Sequence, residues 1–319
     1  MNGNGFVVLT PGALTTVQDR GRLGYQALGI PESGALDRYA CQVANLLVDN
    51  PPGNAVLEMT VVGPTLAVLK QMNLAFAGAD MKITLNHAPV DPWRAFCVNP
   101  GDLLAFSMTG RGCRGYLAAG GGFDLPEVMG SRATYLGGTL GGLNGRPLQK
   151  GDFLPVGPAR RAKRFYRLPD EFRPVYTSPI VLRAVPGPQA DYFTRTIDRF
   201  FNTDFTLGTR SDRMGCRLDG PVVPLDPGRQ ESIISEPIVP GSVQIPADGQ
   251  PIILLGEQTT GGYAKIATVI TPDLSRLAQA VPGDTIRFEP VDLKSAFRIY
   301  RKETTRMDAI YRALTGSST

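Results

Sequence analysis

Glycine and proline recur along the whole of this chain instead of gathering in one tract, 37 and 27 of them in 319 residues. Spaced this way they punctuate many short elements, which favours β structure with many turns over a bundle of long helices. Apolar runs such as 252–255 and 266–270 are rich in branched residues and bounded by turn residues, as short strands are. The length allows two domains, each with its own core. Hydrophobic residues make up 42% and charged residues 19%, the balance of a globular protein.

Helices are the exception. Over 35–48, Leu36, Tyr39, Ala40, Val43, Leu46 and Leu47 recur in steps of three and four, which predicts one apolar helical face. Ser33 is the expected N-cap, and Pro51-Pro52 stops the helix. Further helices are expected over 274–280, near 192–200, and in the tail, where Phe297, Tyr300, Met307, Ile310, Tyr311 and Leu314 stand among charges. The chain also echoes itself. EMTVVGPTL at 58–66 is similar to RLDGPVVPL at 217–225, and Gly-Asp steps precede apolar runs at 101–102, 151–152 and 283–284. These features predict a mainly β chain of two β-barrel-like lobes, 1–156 and 180–292. An arginine- and proline-rich linker (157–179) joins them, and a helical tail (293–319) follows.

The net charge is +4, with 26 arginines and 7 lysines. That bias suits recognition of carboxylates or phosphates through the guanidinium fork. The nearest basic run, Arg160-Arg161-Ala162-Lys163-Arg164, is short and lacks interleaved aromatics, so nucleic-acid binding is not expected. The first residues have no basic head with a long apolar core, and no apolar run approaches the roughly 20 residues a membrane span needs. Cys41, Cys97, Cys113 and Cys216 stand far apart, which argues for reduced thiols in a cytoplasmic protein and against a structural zinc site. His87 is the one histidine, in the turn-like Asn-His-Ala-Pro. A serine–histidine–carboxylate triad or a multi-histidine metal site is therefore nearly excluded. A general base falls to a carboxylate, tyrosine, lysine or thiolate, or to His87 alone, although an exposed turn residue is the expected reading of His87.

Four segments carry candidate chemistry. Asp19 lies between Arg20 and Arg22, and Asp212 lies beside Arg210 and Arg213. A carboxylate between arginines orients their forks, so each segment reads either as a prepared anion site or as a pair of salt bridges pinning a loop. A glycine-rich segment, 115–122, leads into Gly130-Ser131-Arg132-Ala133-Thr134-Tyr135. The fourth is GEQTTGGYAK at 256–265, read as a ten-residue loop between two strands. Gln258, Thr259 and Thr260 donate and accept, which suits an amide or ureido ligand. Gly261 and Gly262 let backbone approach it, and Tyr263 or Lys265 is a candidate proton donor or acceptor. The alternative is a twisted hairpin with a glycine bulge. The run 137–146 is glycine-rich but lacks the Gly-Lys-Ser/Thr ending of a phosphate loop.

These segments also carry a resemblance. TTVQDRGRLGYQALGIPESGALDRYACQVANLLVDNPPGNAVLEMTVVGP resembles the opening of the family called allophanate hydrolase subunit 2. GYLAAGGGFDLPEVMGSRATY, RSDRMGCRL and DGQPIILLGEQTTGGYAKIATVI follow its later blocks in order, from about residue 8 to 292. That family includes the C-type subunit of 5-oxoprolinase, a Kip-type regulator and the carboxyltransferase domain of urea carboxylase. The resemblance implies two cyclophilin-like β-barrel lobes. For a free-standing chain of this length it implies the C-type subunit of an ATP-dependent 5-oxoprolinase, opening the lactam of 5-oxoproline to L-glutamate with subunits A and B. ATP would be used by the complex, on this chain or another. Arg20, Arg22, Arg210 and Arg213 would hold carboxylate or phosphate in a cleft between lobes, and the Gln258–Tyr263 stretch would bind the lactam amide. Two alternatives stay open: biotin-dependent carboxyl transfer to urea or a related amide, which needs a separate biotinylated carrier, and a non-catalytic regulatory role. Gly256 stands where the family typically has aspartate, and Ala264 where it often has proline.

Overall fold

In the computed structural model, which describes residues 3–158 and 166–315, the three Gly-Asp steps make the same turn. Gly101, Gly151 and Gly283 each take a left-handed φ, of 91°, 90° and 96°. Each following aspartate accepts the backbone N–H three residues back: Asp102 from Asn99 at 2.6 Å, Asp152 from Gln149 at 2.7 Å, Asp284 from Val281 at 2.9 Å. A strand begins directly after each turn. The Gly-Pro echo is weaker. Gly63-Pro64 leads into a strand at Thr65–Val68, whereas 221–225 forms none. The basic run 160–164 lies outside the described residues.

One compact unit comprises Met1–Leu23, Ser33–Tyr176 and Met307–Thr319; the other comprises Gly24–Glu32 and Thr177–Arg306. Residues 24–32 thus belong to the second unit, and the chain from Met307 belongs to the first.

In the first unit the strands are β1 (Gly5–Thr10), β2 (Leu14–Gln18), β3 (Val56–Thr60), β4 (Thr65–Val68), β5 (Met72–Gly78), β6 (Met81–Leu85), β7 (Ala88–Val90), β8 (Ala95–Val98), β9 (Leu103–Thr109), β10 (Arg114–Ala119) and β11 (Phe153–Pro155). They form two sheets, in the orders β11-β1-β4-β9-β6-β7 and β2-β3-β10-β5-β8. Alternate apolar side chains from both sheets, among them Phe6, Leu57, Phe76, Ile83, Leu104 and Leu117, meet in one core. His87 sits with Asn86 in the β6–β7 hairpin, both at positive φ, and is exposed as a turn residue.

Helix α1 (Arg38–Leu47) covers the outer face of the second sheet. Its Ala40, Val43, Ala44 and Leu47 pack on Ala75 and Ala77 of β5 and on Tyr116 and Ala118 of β10, small residues for the most part, which let a helix approach a sheet closely. Its N-cap is Asp37, whose carboxylate accepts from Ala40 N at 2.9 Å. Ser33, the expected cap, is in left-handed geometry four residues too early. The entry to α1 is tied to the sheet by buried Glu58, whose Oε2 accepts from Tyr116 Oη at 2.8 Å and Leu36 N at 3.0 Å.

The second unit holds β12 (Ile180–Pro186), β13 (Asp204–Leu207), β14 (Gly215–Asp219), β15 (Ser232–Pro237), β16 (Ser242–Ile245), β17 (Ile252–Leu254), β18 (Thr260–Val269) and β19 (Thr285–Pro290). Their order is β12-β19-β13-β14-β17-β16-β18-β15, and a further β12–β18 pairing closes the ring into a barrel with β15 outside it. The rings of Phe200, Phe205 and Phe288 pack together inside, Phe200 stacking on Phe288 at 4.5 Å. The helix expected near 192–200 is a short 3-10 turn, Ala190–Phe193, followed by α2 (Ile197–Phe201). The one expected over 274–280 is α3 (Thr271–Leu277), displaced forward because Pro272 initiates it. The tail forms one helix, α4 (Leu293–Thr315). Its Ile310 and Leu314 are buried in the first unit's helix-side core, while Phe297, Tyr300 and Tyr311 are exposed.

The chain is thus mainly β with a few helices, as expected. No helix among the described residues is long and apolar enough to cross a membrane. No group of three or more metal-ligating side chains gathers among them either.

Candidate functional site

GEQTTGGYAK is not a ten-residue loop. Strand β18 starts at Thr260 instead of Ile266, because β15 pairs along it: Pro237 opposite Thr260, Glu236 opposite Gly261, Ser232 opposite Tyr263. The irregularity in this pairing falls between Ser232 and Glu236, so the extra residues are on β15, opposite Gly262, which lies between the paired Gly261 and Tyr263.

On this barrel a depression of about 280 Å³ opens among β14, β16, β17 and the start of β18. Four of the expected residues line it: Arg210, Asp212, Gln258 and Tyr263. Met214, Ile252 and Leu254 supply its apolar lining, and Arg217 and Gln244 complete the polar part. Arg210 is exposed and makes no hydrogen bond or ion pair to another described residue. Arg217 is occupied by Asp248, at 3.0 Å. Asp212 does not orient the neighbouring arginines. Its Oδ1 accepts from Met214 N at 2.7 Å and Gly215 N at 3.2 Å, closing the turn before β14. Gln244 is only 4% exposed, yet its Nε2 has no hydrogen-bond partner among the described residues.

Two of the expected site residues, Arg213 and Lys265, are held in ion pairs beside this depression. Arg213 is buried and its Nε donates to Glu257 Oε1 at 2.6 Å. Glu257 is itself buried, with this ion pair inside the fold. Lys265 Nζ lies 2.6 Å from Glu236 Oε1, a charge contact off the line of a good hydrogen bond. Lys265 and, after it, Gln189 hold the Glu236 carboxyl below its usual range. Thr259 gives its carbonyl to Ile238 N at 3.1 Å, and Thr260 and Gly262 lie on β18 with exposed or half-buried surface.

The first-unit candidates serve their own loop. Asp19 accepts from Gly21 N and Ser131 Oγ, both at 2.8 Å, and from Arg132 N at 2.6 Å. It is therefore a backbone clamp, not an orienter of Arg20 and Arg22. Arg22 is fully buried and donates to the carbonyls of Val128 at 2.9 Å and Ala133 at 2.8 Å. Burial lowers its pKa, against the pull of Asp19. Arg20 alone of the three stays exposed. The segment 115–119 is a fully buried strand; a Cβ on Gly115 would strike the Phe76 ring at 2.4 Å, so this glycine serves packing. In the run 137–146, Arg146 is bound through both its terminal nitrogens by Asp152 at 2.8 Å.

Gln244, Arg217, Met214, Ile252 and Leu254 were not legible as site residues. For Gln244 one signal was present, an amide inside the otherwise buried strand Ser-Val-Gln-Ile.

Residues 28–290 match the carboxyltransferase domain, subdomains A and B. The chain is 37% identical over 303 residues to the C-type 5-oxoprolinase subunit of Haemophilus influenzae, covering 93% of this chain and 94% of the relative. It is 37% identical over 298 residues to the C-type 5-oxoprolinase subunit of Escherichia coli, covering 91% and 93%. The crystal structure of K. lactis urea amidolyase superposes with a TM-score of 0.91 at 30% identity, over 97% of this chain but only 20% of that much longer one. By sequence over most of its length and by fold, this chain belongs to the family of carboxyltransferase domains with subdomains A and B.

Proposed function

We propose that this chain is a subunit of an ATP-dependent 5-oxoprolinase, acting in a hetero-oligomer with A- and B-type subunits to open the lactam of 5-oxoproline to L-glutamate. The observation that carries this reading is Arg210, unpaired beside Gln258 and Tyr263 and next to the apolar side chains of Ile252 and Leu254. A small molecule with one carboxylate, one amide and a short hydrocarbon ring matches that set. Similarity to two proteins named as the C-type subunit of 5-oxoprolinase supports the same substrate.

In this account Arg210 holds the substrate carboxylate and Gln258 donates to the carbonyl oxygen of the ring. Opening the ring breaks the C–N bond, adds the oxygen of water to the carbonyl carbon, and requires a proton on the departing nitrogen. Tyr263, at the edge of the depression, is assigned that proton transfer. Arg213 and Lys265 position the surrounding backbone through Glu257 and Glu236 and do not touch substrate.

The run 137–146 does not fit a nucleotide: its terminal Arg146 is held by Asp152, and its backbone lacks the phosphate-loop ending. We therefore assign ATP to a partner and route no step on this chain through it. The four free cysteines fit a reducing, cytoplasmic setting.

The superposition on urea amidolyase favours one second reading, carboxyl transfer from a biotinylated carrier to a urea-like amide. A streptavidin blot of co-purifying proteins separates the two. The direct test mixes this chain with candidate A- and B-type subunits, 5-oxoproline and ATP, and follows glutamate. Release that stops when this chain is omitted supports the hydrolase reading, and undiminished release without it overturns that reading.

A further inference from the structure

Gln244 is buried, lines the depression, and has an amide nitrogen with no hydrogen-bond partner among the described residues. Buried amides are ordinarily paired, and one left alone is destabilising unless a ligand completes it. Its place depends on Gly261 of the neighbouring strand. A Cβ built at Gly261 would lie 2.0 Å from Gln244 Nε2, so only glycine leaves room for the amide where it now rests. The β16–β18 pairing slips between Val243 and Gln244, which seats Gln244 opposite Lys265 on the strand that carries Gly261. Its nitrogen makes no hydrogen bond among the described residues that would have to break for the carboxamide to turn about its terminal torsion.

We propose that Gln244, housed by Gly261, is the group that recognises the amide edge of a small cyclic amide in this depression. A carboxamide carries a donor and an acceptor side by side. A lactam, locked cis by its ring, presents N–H and C=O on one edge in the complementary order, so the two pair at both points. An open-chain secondary amide is trans and offers only one. Gln244 is thus a specificity residue, reading lactam against chain amide, while Arg210 reads the carboxylate. The inference rests on the reading of this depression as the substrate site.

The test measures binding of two ligands to the full-length chain by calorimetry or ligand-observed NMR. One is 5-oxo-L-proline. The other is 3-oxocyclopentane-1-carboxylate, in which a CH₂ replaces the ring N–H and everything else is kept. Wild type is expected to prefer the lactam about tenfold, the scale of one hydrogen bond that leaves no buried group unpaired. Gln244→Leu and Gly261→Ala should each bind both ligands equally, with unchanged melting temperature for Gln244→Leu. A preference that survives Gln244→Leu overturns the proposal, as does a wild type that binds both alike or neither. Because binding is read without turnover, a lactam preference that depends on Gln244 in a chain that supports no glutamate release supports this proposal and rejects the hydrolase reading alone.

Discussion

Arg213 and Glu257 meet at 2.6 Å, both 4% exposed, and bind the turn before β14 to the turn before β18. The two turns that frame the depression are therefore fixed to each other by a buried ion pair. Removing one partner strands the other's charge away from water. Arg213→Ala is expected to lose about 3–5 kcal/mol of unfolding free energy, and Arg213→Met with Glu257→Leu far less, because no charge is then left buried. Urea denaturation of the three proteins checks this; equal losses for single and double variants would contradict it.

Tyr116 serves as donor to Glu58 and acceptor from Asp37 N at 2.8 Å, while burial and the nearby Glu58 carboxylate raise its pKa well above the usual phenol value. It stays a neutral hydroxyl throughout the working range. Tyr116→Phe leaves Asp37 N without this acceptor and Glu58 without one donor, at an expected cost of about 1–3 kcal/mol and with the loosening concentrated at the entry to α1. Hydrogen exchange at Leu36 and Asp37 reads the second part directly.

The Gly-Asp turns give a matched set. Nothing lies within 4 Å of a Cβ built on Gly101, Gly151 or Gly283, so alanine there meets only the backbone penalty of left-handed geometry. Each replacement should cost about 1–2 kcal/mol, and the three should agree. Thermal melts of the three variants would expose any difference in the turns.

Asp152 is held by Arg146 through two hydrogen bonds, and after burial's opposing effect by Gln149 N, which together lower its pKa below the usual 3.8. A depressed carboxyl stabilises the fold above its ordinary pKa, and that contribution fades as pH falls through the lowered value. The stability gap between wild type and Asp152→Asn should therefore be flat near neutral pH and close only in acid below 3.8. A gap that closes on the alkaline side would reverse the sign.

Much of the fold was legible because its signals are local. Gly-Asp steps, the α1 periodicity and the lone His87 in its hairpin depend on a few neighbouring residues. The site was less so, because charge neighbours in sequence are not neighbours in space. Asp19 turned to Ser131 and Arg132, and Asp212 to its own turn, while Arg213 found Glu257 forty-four positions on. The glycine pair at 261–262 read as loop because β15, which makes it a strand, is contributed from a run at 232–237 with its own register slip. Arg210, Gln258 and Tyr263 were identified as candidates, but the amide that completes them, Gln244, lies on another strand.

Under the proposed function Arg210 holds the carboxylate of 5-oxoproline, and one kinetic constant tests it. In the reconstituted complex, Arg210→Ala should raise KM for 5-oxoproline at least about tenfold, the loss of one charge-assisted contact, while the variant chain melts and assembles as wild type. An unchanged KM with full turnover would contradict the assignment of this depression as the substrate site.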